Sequence, residues 1–129
     1  MRSRISPLAL VVVAFAAGLA AGQARGQAKP RMWADVVLDI VTDELPRKAR
    51  VHVNVDHWDP GAETGRHTHP GPVVFVVLDG ELSETRADGS TGVLRTGQAF
   101  WKTSRTDHNV RNASAQPARA LAVHLHPAR

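Results

Sequence analysis

The sequence has no cysteine and no tyrosine, and its aromatic residues are few, three Trp and three Phe in 129 residues. The absence of cysteine excludes a disulfide framework, thiolate metal ligands and a cysteine nucleophile. The absence of tyrosine removes the phenol as a catalytic acid. The fold must therefore be stabilised by a hydrophobic core or by a bound metal ion.

Neither sign of charge dominates the chain. It carries 16 Lys and Arg against 12 Asp and Glu, but three of the basic residues (Arg2, Arg4 and Arg25) precede residue 28, where no acidic residue occurs. From residue 29 onward, 13 basic residues face 12 acidic ones. A nearly neutral domain without a basic face argues against nucleic acid as a partner.

A long hydrophobic run is also missing. The longest apolar stretch, Leu8 to Ala21, has 14 residues and follows a cationic start. A membrane-spanning helix needs about 20 residues. We interpret residues 1–28 as a secretory signal peptide, cleaved after Ala24 or Ala28, with an uncleaved anchor as the alternative. The protein is then expected to be periplasmic or secreted, with no stable membrane span after cleavage.

Short apolar stretches separated by Gly and Asp-Gly turns make up the remaining chain. Valines alternate with polar residues over 51–56, residues 73–78 are continuously apolar, and alternation returns over 119–126. This pattern predicts an all-β sandwich or barrel over residues 49–129. Because such a domain has a small core, a homodimer that covers further apolar surface is expected.

Residues 29–48 are interpreted as an N-terminal leader that contains a first strand. The segment from Ala34 to Thr42 is rich in β-branched residues and is followed by Pro46. Helical spacing also fits its apolar positions, but we favour a strand.

Histidine is the residue type that stands out, with seven copies after the N-terminal segment. His67 and His69 are two positions apart, so in a strand their side chains would share one face and reach one metal ion. Neutral imidazole suits Zn, Cu, Fe and Ni, and three protein ligands with open positions are typical of a catalytic metal site. His108, on a later strand, is the candidate third ligand.

Two stretches around these histidines resemble the two motifs of the cupin family. The first has Gly61, five residues, His67-Thr68-His69, three residues, and then six residues between Val73 and Gly80. It matches the family pattern except that Val73 replaces a glutamate.

The second stretch has Gly97 followed, at the family spacing, by His108 and Asn112. Thr103 and Arg105 replace the Pro and Gly of that motif. The resemblance covers about residues 50–126 and implies a single-domain double-stranded β-helix, or jelly-roll barrel, with a metal ion in its mouth.

The resemblance implies that His67, His69 and His108 ligate a divalent transition metal (Fe, Mn, Ni, Cu or Zn). Val73 cannot coordinate, and Glu63 is the acid nearest in sequence. With no carboxylate nearby, substrate activation would fall on the metal itself. The expected function is a metal-dependent oxygenase acting on a small molecule; the alternative is a non-catalytic module with a degenerate site that binds a small ligand or a metal.

Positions are also expected for the other candidate residues. His124 and His126 share a face of the last strand and either line the barrel or, as we favour, form a solvated pair near the C-terminus. His52, with Asn54 and Asp56, faces inward or lies on an exposed face. Further expectations place His57 on the surface, Arg105 near an anionic substrate, and the aromatic residues Trp58, Phe75, Phe100 and Trp101 in the core or the pocket wall.

Overall fold

A computed structural model describes residues 30–129, which contain seven β-strands and no helix. The proposed signal peptide, residues 1–28, lies outside the described residues. The strands are β1 (Ala49–Trp58), β2 (Val73–Asp79), β3 (Glu81–Arg86), β4 (Thr91–Arg95), β5 (Ala99–Lys102), β6 (His108–Arg111) and β7 (Ala118–Pro127).

The strands form two antiparallel sheets whose neighbours are mostly not consecutive in the chain. The larger sheet has the order β1-β7-β2-β5, and the smaller one has the order β4-β3-β6. The chain therefore crosses repeatedly between the sheets, as in a jelly roll. The predicted all-β double-stranded β-helix is confirmed.

The core lies between the inner faces of the two sheets. Val73, Phe75 and Val77 of β2 are buried on one side, and Leu82 and Leu94 of the smaller sheet are buried on the other. Where β7 packs on this core its inward residues are alanines, and Phe75 pairs with Ala122 while Val77 pairs with Ala120. These alanines leave room for the larger side chains of β2, and burial of each such side chain stabilises the fold by about 1.5–3 kcal/mol.

Strand β1 turns its polar face inward and its valines outward. Trp58 is buried and Asp56 lines a cavity between the sheets, whereas Val51 and Val53 are 61% and 55% exposed. Of the two orientations that the alternation allowed for β1, the inward polar face is the one observed for Asn54 and Asp56, whereas His52 on the same face is exposed. The interpretation with a buried valine side is wrong.

The expected first strand within residues 34–42 is not formed, because that segment has no regular secondary structure. β-branched residues favour strands only where a neighbouring strand pairs with them, and regular pairing begins at Ala49. The compact unit extends from Ala34 to Arg129. Within the described residues, no helix is long and apolar enough to cross a membrane.

Candidate metal centre

The three histidines singled out by the sequence lie together at one end of the barrel. The ring centroids of His67 and His108 are 4.5 Å apart, those of His67 and His69 are 4.8 Å apart, and those of His69 and His108 are 5.3 Å apart. One ring nitrogen from each of the three lies within 4.8 Å of the others. The predicted convergence of His108 with His67 and His69, which lie 41 and 39 positions earlier in the chain, is therefore present in the structure.

A two-residue backbone bridge brings the distant ligands together. The N–H of His67 donates to the carbonyl oxygen of His108 at 3.0 Å, and the N–H of His108 donates to that of His67 at 3.1 Å. Residues paired in this way project their side chains to the same side. The His67–His69 stretch is a loop with this isolated bridge, not the strand that the spacing predicted.

Hydrogen bonds to the backbone fix which nitrogen of each ring is free. The Nδ1 of His67 lies 2.9 Å from the carbonyl oxygen of Gly65, and the Nδ1 of His108 lies 2.9 Å from that of Thr106. A carbonyl oxygen only accepts, so each Nδ1 carries a proton, and in the neutral ring the free lone pair lies on Nε2. Such bonds orient metal-binding histidines in proteins, and this donor set fits a divalent transition metal.

Burial keeps the third ring neutral. Desolvation, followed by the neighbouring His67 ring, lowers the pKa of His69 to about 4. Burial also lowers the pKa of His108, and its bond to Thr106 opposes this effect. The backbone N–H of Arg105 donates to the carbonyl oxygen of His69, so Arg105 helps to hold the His69 loop. Neutral imidazoles are the form that ligates metals.

Val73 lies in the cavity wall at the position where the first motif has glutamate, and it is only 1% exposed. Its neighbours across the sheet are His124 on β7 and Lys102 on β5. Glu63 does not replace the missing carboxylate, because it is exposed and accepts a hydrogen bond from the Asn109 side chain.

The expectation that no carboxylate lies nearby is wrong. Glu84 forms a buried ion pair with Lys102, and the two residues are only 6% and 7% exposed. Both share the lining of a second cavity with His108. Asp56 is the carboxylate that lines the cavity of the three rings. The alternation in β3 could have predicted the burial of Glu84. Glu84 lies two residues after the buried Leu82, so both belong to the same face of β3.

The last strand, β7, contributes a histidine to the cavity. His124 lines the cavity, and its Nδ1 is buried, as is the Nε2 of His126. The favoured interpretation of a solvated pair is therefore wrong, and the alternative, that these residues line the barrel, is correct for His124. The ring of His52 lies 5.8 Å from that of His124.

His57 is exposed, as expected. Trp58 and Phe75 form part of the pocket wall, as expected, and their rings meet edge to face. Asn112 of the second motif is fully buried, and its side chain donates to the carbonyl oxygens of Trp58 and Gln116. This asparagine therefore holds the turn before β7 rather than a ligand.

The cavity at the three rings is small, about 50 Å³. Its floor is apolar and its polar groups are imidazoles, a carboxylate and an ammonium group, a composition typical of small-molecule sites. Its lining includes Asp56, Trp58, His67, His69, Val73, Phe75, Lys102, His108 and His124.

This chain is similar in sequence to a known protein family and to a relative within it. The family model described as "Cupin domain" matches residues 54–124. The β-alanine degradation protein BauB of Pseudomonas aeruginosa is 45% identical over 69 residues, which is 52% of this chain and 73% of the relative.

Solved structures of two bacterial proteins have a similar fold. A cupin domain from Bordetella pertussis superposes with a TM-score of 0.53 at 26% identity, covering 64% of this chain and 86% of the other. A predicted oxalate decarboxylase from Thermotoga maritima superposes with a TM-score of 0.54 at 25% identity, covering 61% and 68% respectively.

Proposed function

Because the chain belongs to the cupin family, we propose that it is an exported metalloprotein that acts on a small molecule at a mononuclear site. His67, His69 and His108 hold one divalent transition metal. The observation that carries this proposal is the pair of Nδ1–H bonds to the carbonyls of Gly65 and Thr106, which leave both Nε2 lone pairs free for one ion.

We propose that the protein is an oxygenase. When bound, the metal would act as a Lewis acid and, in the case of Fe or Cu, as a centre for electron exchange with O2. The chain's own residues do the rest. Trp58, Val73 and Phe75 exclude water from the substrate, and the carboxylate of Asp56 accepts a proton or holds a substrate amine. The name of the relative BauB, a β-alanine degradation protein, agrees with a small polar substrate.

The second candidate function is a non-catalytic module that holds a small ligand or the metal. The buried Val73 favours it, because an apolar residue stands where the family motif has a carboxylate. Oxygen uptake by the metal-loaded protein with diketones, flavonols, thiols and β-alanine distinguishes the two. Consumption with any of them supports the oxygenase, and none with any of them supports the module.

Metal analysis of the purified protein tests the site itself. We expect one ion of Fe, Mn, Ni, Cu or Zn at these ligands, and at least tenfold weaker binding at this site in His67→Ala and in His108→Ala. The matched control is His57→Ala, because His57 is exposed and lies outside the site. Unchanged binding in both ligand variants would overturn the assignment.

Export is tested separately. Expressed with residues 1–28 in a bacterium with a periplasm, the protein is expected in the periplasmic or extracellular fraction, beginning at Arg25 or Lys29. A cytoplasmic protein that still begins at Met1 would contradict the proposal.

A further inference from the structure

A second group of imidazoles lies beside the three-histidine site. His124 and His126, on the same side of β7, lie next to His69, with ring centroids 5.1 Å apart for His69 and His124 and 5.2 Å apart for His124 and His126. One ring nitrogen from each of the three lies within 4.8 Å of the other two. This spacing is short enough for three rings to reach one ion.

Two of these rings contain nitrogens whose bonding capacity the protein does not use. The Nδ1 of His124 and the Nε2 of His126 are both buried and have no hydrogen-bond partner. Buried polar atoms in folded proteins nearly always have a partner, and an exception calls for an explanation. In contrast, the buried ring of His108 uses its Nδ1 in a bond to Thr106.

Strand β1 places Arg50 opposite His126 and oxygen-bearing side chains on the side of His124. β1 pairs with β7 in the same sheet, and His52 lies directly opposite His124 in the strand register. Asp56, on the same face of β1 as His52, lines the same cavity as His124. Asn54 lies between His52 and Asp56 in the sequence of β1. Its Oδ1 is a buried oxygen without a hydrogen-bond partner. Imidazole nitrogens with oxygen donors at hand suit Zn and Cu.

We propose that His124 and His126, together with His69, bind a second divalent metal ion next to the first. His69 is shared, with one ring nitrogen directed to each ion, and it releases its ring N–H proton to solvent when both ions are bound. This site goes beyond the mononuclear site proposed above, and its occupancy does not require His67 or His108.

Zinc titration of the complete, metal-free protein tests this inference, with bound metal measured after dialysis. We expect two equivalents of Zn²⁺ in the wild type and in His57→Ala, one in His126→Ala, one in His108→Ala, and none in the His108→Ala/His126→Ala double variant. Circular dichroism establishes that each variant is folded, and His126→Asn replaces His126→Ala if the alanine variant is not.

The outcomes separate the two sites. The second site is overturned, and the first left intact, if the wild type binds one equivalent of Zn²⁺ that is retained in His126→Ala and lost in His108→Ala. Metal retained in His108→Ala but lost in His126→Ala overturns the first site and supports the second.

Copper gives an independent readout of the shared ring. Two Cu²⁺ ions joined through one imidazole couple magnetically, so the loaded wild type is expected to show a weakened, coupled paramagnetic resonance signal. His126→Ala should show the full signal of an isolated ion. Equal, uncoupled signals per copper in both proteins would contradict the sharing of His69.

Discussion

At the scale of single residues, the buried Glu84–Lys102 pair places two charges inside a small core. Burial lowers the pKa of Lys102, while the hydrogen bond to Glu84 opposes that shift. The ammonium nitrogen also lies 5.3 Å from the ring centroid of Phe75 and 5.9 Å from that of Phe100. The pair therefore depends on both partners, because each compensates for the desolvation of the other.

Removing one partner is expected to cost more than removing both. Glu84→Leu leaves the Lys102 ammonium buried and unpaired, so the free energy of unfolding should fall by about 3–5 kcal/mol. The Glu84→Leu/Lys102→Met variant should recover most of that loss. Urea unfolding of the metal-free proteins measures both, and a double variant no more stable than the single one would contradict the argument.

His69 gives the metal-free protein a pH-dependent stability. Its pKa is about 4 in the folded protein and about 6.5 in the unfolded chain. Between these values the unfolded chain binds a proton that the folded protein does not, so the free energy of unfolding falls as the pH drops from about 6.5 to 4. His69→Asn should show a smaller fall in its urea midpoint than His57→Ala does. Identical slopes would contradict the assignment of this effect to His69.

At the scale of elements, the entry into β2 is fixed by a close approach to β7. A Cβ placed on Gly71 would lie 2.1 Å from the backbone carbonyl oxygen of Leu125, between the two histidines of β7. Backbone atoms cannot move aside as a flexible side chain does. The absence of a side chain at Gly71 therefore sets the distance between the loop that carries His69 and the strand that carries His124 and His126.

Gly71→Ala is expected to lower the free energy of unfolding by about 1–3 kcal/mol because the strands must separate. Gly92→Ala is the matched control. Its Cβ would meet only the flexible end of Arg86, at 3.3 Å, and the change should stay within about 0.5 kcal/mol. Chemical denaturation compares the two, and equal stabilities would refute the close-packing argument.

At the scale of the whole molecule, the larger sheet has an apolar outer face. Val53, Val123 and Val74 lie side by side across three strands, and Val55, Leu121 and Val76 form the next row. β1 is a ten-residue edge strand that contributes three exposed valines to this face. A long apolar edge continuous with an apolar face favours pairing with another chain.

We expect a second copy of the chain to cover this face in a two-fold dimer. Val53→Lys places a charge in its centre and should convert the dimer to a monomer, as measured by light scattering after size exclusion. Val93→Lys, at a similarly exposed valine on β4 of the other sheet, should remain dimeric. A monomeric wild type at about micromolar concentration would contradict the expectation.

The sequence by itself determined the β class, the positions of most turns, and the three histidines at the mouth of the barrel. Period-two alternation and motif spacing are properties of the covalent order, so they can be recognised without a partner strand. The tertiary structure decided the rest. Alternation defines two faces of β1 but not which one points inward. Cross-strand register placed Lys102 and His124 on either side of Val73, and no local pattern encodes the meeting of strands so far apart in the chain.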